Sequence, residues 1–98
     1  MSSRRVFFPR VQETNRNLPD RLLEDRLYLE KDHTSIAFLC PCGCRSEVHI
    51  RLGTDWPLGV PSWSLEEHEG KITLSPSLQC TTRCRSHFYI RKNQVEWL

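Results

Sequence analysis

From Arg26 onward, apolar and polar residues alternate with the two-residue period of half-buried strands. "RLYLE" places Leu27 and Leu29 on one face, and "SIAFLC" is a short apolar run ending in a cysteine. "EVHIRL" sends Val48, Ile50 and Leu52 inward and leaves His49 and Arg51 outward. "SWSLEEHEGKITLSP" predicts a hairpin with Trp63 and Leu65 on one strand, a turn near Glu69-Gly70, and Ile72 and Leu74 on the return. "HFYIRKNQVEWL" predicts a second hairpin, in which Lys92-Asn93 forms a tight turn because asparagine tolerates positive φ. The pattern predicts about six or seven short strands and little helix. Loops carrying Gly53, Pro57, Gly59 and Pro61 divide the sheet into two parts.

Residues 1–25 break this rhythm. "RVQETNRNLPDRLLEDR" mixes charges and amides around Pro19, with one apolar pair, Leu22 and Leu23. Proline near the start and acids in the first turn allow one or two helical turns. The expectation is one domain over residues 1–98: an N-terminal arm or short helix over 1–25 and a β domain over 26–98. No internal repeat or low-complexity tract stands out.

Composition then changes the picture. A chain of 98 residues with 38% hydrophobic content and a mean hydropathy of -0.54 has a thin core. Such domains usually recruit disulfides or a metal. Five cysteines are an odd number and fit a disulfide framework poorly. The basic start "MSSRRVFFPRVQE" lacks the apolar run of a secretory signal, and no segment is long and apolar enough to span a membrane. These features predict a cytoplasmic protein whose thiols serve metal or redox chemistry.

The thiols are concentrated. Cys40, Cys42 and Cys44 alternate with Pro41 and Gly43, and Cys84 stands three residues before His87. An ideal strand would hold alternate cysteines about 7 Å apart on one face. Proline and glycine disfavour that strand and permit a tight turn in which sulfurs converge. Two such turns at strand ends, some forty residues apart, describe a zinc-ribbon-like site on a small antiparallel sheet of short strands and hairpins. Tetrahedral zinc needs four ligands, so four of Cys40, Cys42, Cys44, Cys84 and His87 are expected to bind one ion per chain, with Cys84 and His87 among them. Cys80 is expected outside the set. His33, His49 and His68 lack a cysteine at ligand spacing and read as surface residues.

Other metal chemistries fail on spacing. A Rieske site needs a second Cys-x-His, and residue 46 is a serine. A zinc deaminase needs His-x-Glu before Pro-Cys-x-x-Cys, and a thioredoxin-type site needs Cys-x-x-Cys; neither occurs.

"FLCPCGCRSEV", Trp63, "ITLSPSL", "CRSHFYI" and the closing "VEW" together resemble a bacterial family of small zinc-binding-type proteins. That family's pattern runs Cys-Pro-Cys-Gly-Cys, a Ser-Pro-Ser turn, Cys-x-Ser-His-Phe/Tyr and a final Val-x-Trp. The resemblance spans about residues 36–98. It implies Cys40, Cys42, Cys44, Cys84 and His87 as metal candidates and Ser75, Pro76 and Ser77 as the turn. It further implies a setting beside ubiquitin-like modifiers and their activating and conjugating enzymes.

Three classes of function stay open. The first is a zinc-stabilised interaction module, an adaptor or ligase-like accessory factor of a bacterial ubiquitin-like conjugation pathway. Its protein partner would be the modifier or its activating or conjugating enzymes, met through exposed aromatics among Trp56, Trp63, Tyr89 and Trp97. The second is nucleic-acid binding. From Lys71 onward five basic residues face one acid, and Arg45, Arg83, Arg85, Arg91 and Lys92 with Tyr89 as a stacking ring are its candidates. A net charge of +2 makes that footprint weak. The third is a small enzyme using His87, Ser86 or a free thiol. No nucleophile–base–orienter set is visible, so the sequence favours binding over catalysis.

Overall fold

Two four-stranded sheets pack face to face in the computed structural model, which describes residues 5–15, 17–54, 56–80 and 84–98. The first sheet has the order β1 (Arg10–Thr14), β2 (Arg26–Glu30), β3 (Ser35–Leu39), β4 (Glu47–Arg51). The second has the order β5 (Ser64–His68), β6 (Lys71–Gln79), β7 (His87–Arg91), β8 (Gln94–Trp97). The fold is all-β, and no helix occurs among the described residues.

Alternation explains both inner faces. Leu27, Leu29, Ile36, Phe38 and Ile50 of the first sheet meet Ile72, Leu74, Leu78, Phe88 and Ile90 of the second in one buried cluster. Phe8, Phe38, Phe88 and Trp97 run through it as successive edge-to-face pairs at 5.4, 6.3 and 5.6 Å between ring centres. Such contacts favour ring edge against ring face.

Part of the N-terminal region differs from the expected arm or helix. Arg10–Thr14 is a strand, paired in parallel with β2 from Arg10↔Arg26 to Thr14↔Glu30. Only Thr14 of this edge strand is buried, so its sequence shows no clean apolar alternation. The connection then folds over the outer face of the first sheet, where Leu22 packs with Tyr28, Ala37 and Leu39. The Tyr28 hydroxyl accepts the Leu23 N–H at 2.7 Å.

Both hairpins of the second sheet close through two-residue loops with positive φ throughout. Glu69 and Gly70 stand at 52° and 78°, and Lys92 and Asn93 at 50° and 65°. These are the backbone signs of a type I′ turn, whose twist matches the strands. Asn93 also works as a buried clasp. Its Oδ1 accepts the Ile72 N–H at 2.7 Å, and its Nδ2 donates to the Phe8 carbonyl at 2.9 Å. Asn93→Ala strands both backbone groups and leaves a β-carbon at positive φ. It is expected to cost about 2–4 kcal/mol in denaturant unfolding; a loss below about 0.5 kcal/mol would refute the clasp.

Candidate functional site

Two turns on different sheets meet. One joins β3 to β4 and is closed by the Cys40 N–H donating to the Ser46 carbonyl at 2.8 Å. The other leads from β6 to β7, and its Cys80 N–H donates to the Ser86 carbonyl at the same 2.8 Å. Arg45 and Arg85, each preceded by cysteine and followed by serine, both take positive φ, 64° and 52°. Residues 40–46 (CPCGCRS) and 80–86 (CTTRCRS) therefore share Cys-x-x-x-Cys-Arg-Ser and the closing bond. This short internal repeat corrects the sequence reading. Only the matching hairpin ends reveal it, because four identical residues do not stand out along the chain.

The turns bring Cys40, Cys42, Cys44 and Cys84 together, with all four sulfurs within 4.8 Å of one another. Sγ–Sγ separations are 3.5 Å for Cys40–Cys42, 3.4 Å for Cys40–Cys84 and 3.6 Å for Cys44–Cys84. Gly43, at φ 93°, turns the Cys44 N–H back onto the Cys42 sulfur at 3.4 Å. Arg85 does the same for the Ser86 N–H and the Cys84 sulfur, also at 3.4 Å. Amides aimed at sulfur favour thiolate over thiol. Burial pushes the Cys40 and Cys84 thiols up. Cys42 comes down to about 7: burial opposes this, but hydrogen bonds from Cys84 and the Cys44 amide outweigh it. Four sulfurs at such short range could hold a metal ion.

Cys80 is buried and lies outside this group of four. The repeat makes it the counterpart of Cys40, so it competes with Cys42 as a ligand. Cys42→Ser is expected to lose bound metal and Cys80→Ser to keep it, measured by elemental analysis of the purified variants. The reverse result would assign the ion to the repeated cysteine pairs.

His87 stands elsewhere. Its Nε2 lies 2.7 Å from the Ser77 Oγ. His49 and His68 face carboxylates instead, Glu47 at 2.9 Å and Glu66 at 3.9 Å. The Ser–His contact arises from a break in register. Leu74 pairs with Ile90 and Leu78 with Phe88, so Ser75, Pro76 and Ser77 oppose Tyr89 alone. A bulge of this kind re-aims side chains without unpairing the sheet. Leu74 and Leu78 stay in the core, while Ser77 turns to the outer face carrying His87. Trp63 fixes the bulge from the side, its Nε1 donating to the Ser77 carbonyl at 3.2 Å. His87 pairs in register with Gln79 and lies three residues past Cys84.

Sequence reasoning did not anticipate the Ser77–His87 contact, although it singled out the Ser-Pro-Ser segment. A signal existed: alternation in "HFYI" turns Phe88 and Ile90 inward and hence His87 outward.

Two of the nucleic-acid candidates are engaged by acidic side chains. Arg45 pairs with Glu24 at 3.6 Å, and Arg91 pairs with Glu96 at 2.7 Å while its guanidinium lies 4.3 Å from the Tyr89 ring centre. Arg85 and Lys92 are exposed, and Arg83 lies outside the described residues. Among the aromatics, Trp56 donates to the Leu52 carbonyl at 2.8 Å, and Trp97 packs on Phe88.

No curated protein and no solved structure matches the chain. A family model does, over residues 14–98, a span that includes both strands of the bulge, the Ser77–His87 contact and all five cysteines. The chain belongs to the family described as bacterial ubiquitination-like system serine protease (BubE).

Proposed function

We propose that the protein is a serine peptidase acting on a polypeptide of a bacterial ubiquitination-like system, with Ser77 as nucleophile and His87 as general base. The observation that carries this is the 2.7 Å contact between Ser77 Oγ and His87 Nε2. It is the hydrogen bond through which a serine hydroxyl passes its proton as it attacks. In the proposed sequence, Oγ bonds to the scissile carbonyl carbon and Nε2 takes the hydroxyl proton. The tetrahedral adduct collapses to a Ser77 ester, and Nε2 returns the proton to the departing amine. Water, deprotonated by the same nitrogen, then adds to the ester carbonyl, and the second adduct collapses as Nε2 returns that proton to the departing Ser77 Oγ, releasing the acid. The family name supports the reaction class and the protein substrate.

The reading includes one zinc ion per chain on Cys40, Cys42, Cys44 and Cys84. Zinc–sulfur bonds of about 2.3 Å in a tetrahedron set sulfurs about 3.8 Å apart, close to the 3.4–3.6 Å separations here. Zinc held by four thiolates has no open position, so its contribution is structural. It ties β3–β4 to the turn that presents His87. Free thiolates suit a reducing compartment, and a cytoplasmic location belongs to the proposal.

An alkyl fluorophosphonate, which needs an activated serine and no peptide, tests the pair. Peptide mapping by mass spectrometry is expected to find the adduct on Ser77, and His87→Ala is expected to abolish it. Incubation with the system's ubiquitin-like protein should yield a shortened or released form. Absence of the adduct from intact wild-type protein would sink the peptidase reading and favour an adaptor of the same system.

A further inference from the structure

Among the described residues, the β4 edge of the first sheet borders a cleft whose far wall holds the residues that follow Ser77. In the β3–β4 ladder, the Leu52 N–H donates to the Thr34 carbonyl and the Cys40 N–H to the Ser46 carbonyl. Antiparallel hydrogen bonding alternates, so Val48 and Ile50 also bond to β3. The main-chain groups of Glu47, His49 and Arg51 consequently point away from β3. At Arg51 a strand already uses this edge: its carbonyl accepts the Trp63 N–H at 2.8 Å, and the Trp63 carbonyl accepts the Gly53 N–H at 2.9 Å. At Glu47 and His49, among the described residues, no main-chain group pairs with the outward N–H and C=O.

Open edges invite a further strand, and proteins normally cover them. This one does so elsewhere, since Val6–Phe8 run along β8, with the Val95 N–H donating to the Val6 carbonyl and the Phe8 N–H to the Asn93 carbonyl. The β4 edge instead borders a cleft of about 390 Å³, with Glu47–Ile50 along one wall and Trp63, Leu78, Gln79 and Cys80 opposite. Three of the four opposing residues are tied to the dyad through the backbone. Trp63 holds the Ser77 carbonyl, Leu78 follows Ser77, and Gln79 is the cross-strand partner of His87.

We infer that the β4 edge is the substrate groove, where an extended segment of the polypeptide substrate adds as a further strand. Its main chain pairs with the outward N–H and C=O groups of Glu47 and His49. One apolar side chain enters between Trp63 and Leu78, and the scissile carbonyl reaches Ser77 Oγ. The inference rests on the peptidase reading and deepens it by naming the bound conformation and its subsite. Main-chain pairing supplies affinity with little sequence preference, while the Trp63–Leu78 wall supplies selectivity.

Three phosphonate reagents test it on the full chain: the alkyl fluorophosphonate as reference, a one-residue peptidyl phosphonate, and a mixture of tetrapeptidyl phosphonates randomised at every position. The quantity read is the ratio of peptidyl to alkyl labelling rate at Ser77, which corrects for any general loss of reactivity. Two main-chain hydrogen bonds are expected to raise the wild-type ratio about tenfold over a one-residue peptidyl reagent. His49→Pro deletes an outward N–H while sparing the bonds to β3, as proline at an edge permits. That variant should lose most of the gain. N-methylation of the tetrapeptide backbone, which needs no altered protein, should do the same. A ratio independent of peptide length, or a gain that survives both N-methylation and His49→Pro, would overturn the groove. Failure of every reagent to label Ser77 would remove the dyad reading, and the groove with it.

Discussion

Ser77→Ala is expected to reduce peptide hydrolysis by about 10⁴-fold or more, with fold and metal content retained. Without the hydroxyl no acyl-enzyme forms, and what survives is whatever binding and local dipoles offer to direct attack by water. A loss of 10⁴-fold corresponds to about 5.5 kcal/mol of transition-state stabilisation. His87→Ala should fall to a similar level, and the double variant should fall no further, because the two groups act as one unit. The retained fold separates this from the expectation that His87 is a zinc ligand. A His87 bound to zinc would make His87→Ala lose the ion and unfold. A His87 bound only to Ser77 leaves a cooperative melt. Turnover of Ser77→Ala within tenfold of wild type would exclude the mechanism.

Stripping the metal is expected to unfold the protein. Structural zinc is worth about 10–16 kcal/mol in small peptides at neutral pH, and a small domain is typically stable by only about 5–15 kcal/mol. The cluster here joins turns of two different sheets. Cys84→Ser breaks that link by removing the sulfur that meets Cys40 at 3.4 Å and Cys44 at 3.6 Å across the interface. Loss of the native near-ultraviolet spectrum on chelation, restored by added zinc, is the expected observation; a native spectrum after complete removal would refute the structural role. The pH dependence has a definite sign. In the loaded protein acid is the destabiliser, because protons compete for the thiolates.

Much of the second sheet was legible because its residues obey one rule at a time. "ITL", "FYI" and the two turn pairs declare face and register through alternation and positive-φ chemistry. The cysteine cluster was legible for the same reason, since Pro41 and Gly43 are at odds with an ordinary strand. Strand β1 was not, because an edge strand with one buried residue carries no periodic signal. Ser77 was hidden more deeply. Its position depends on a register break between Leu74 and Leu78, and no local propensity encodes how many residues oppose a single tyrosine on the next strand. The distinction between His87 and a ligand was equally non-local. Cys-x-x-His is compatible with coordination, and only the outward direction of the side chain on β7 separates the histidine from the sulfur three residues earlier.

The order in which the chain is made gives the cysteine cluster a history. Cys84 follows Cys44 by 40 residues, and ribosomes add about 5–20 residues per second. Three thiols thus emerge first and wait about 2–8 s for the fourth. During that interval they are an incomplete ligand set, open to stray metals and oxidants, and the Ser77–His87 contact is also missing, because His87 comes later still. Completion of the cluster and arrival of the Ser77 partner fall within the same few residues of synthesis. The Ser77–His87 contact therefore cannot form until most of both sheets has been made.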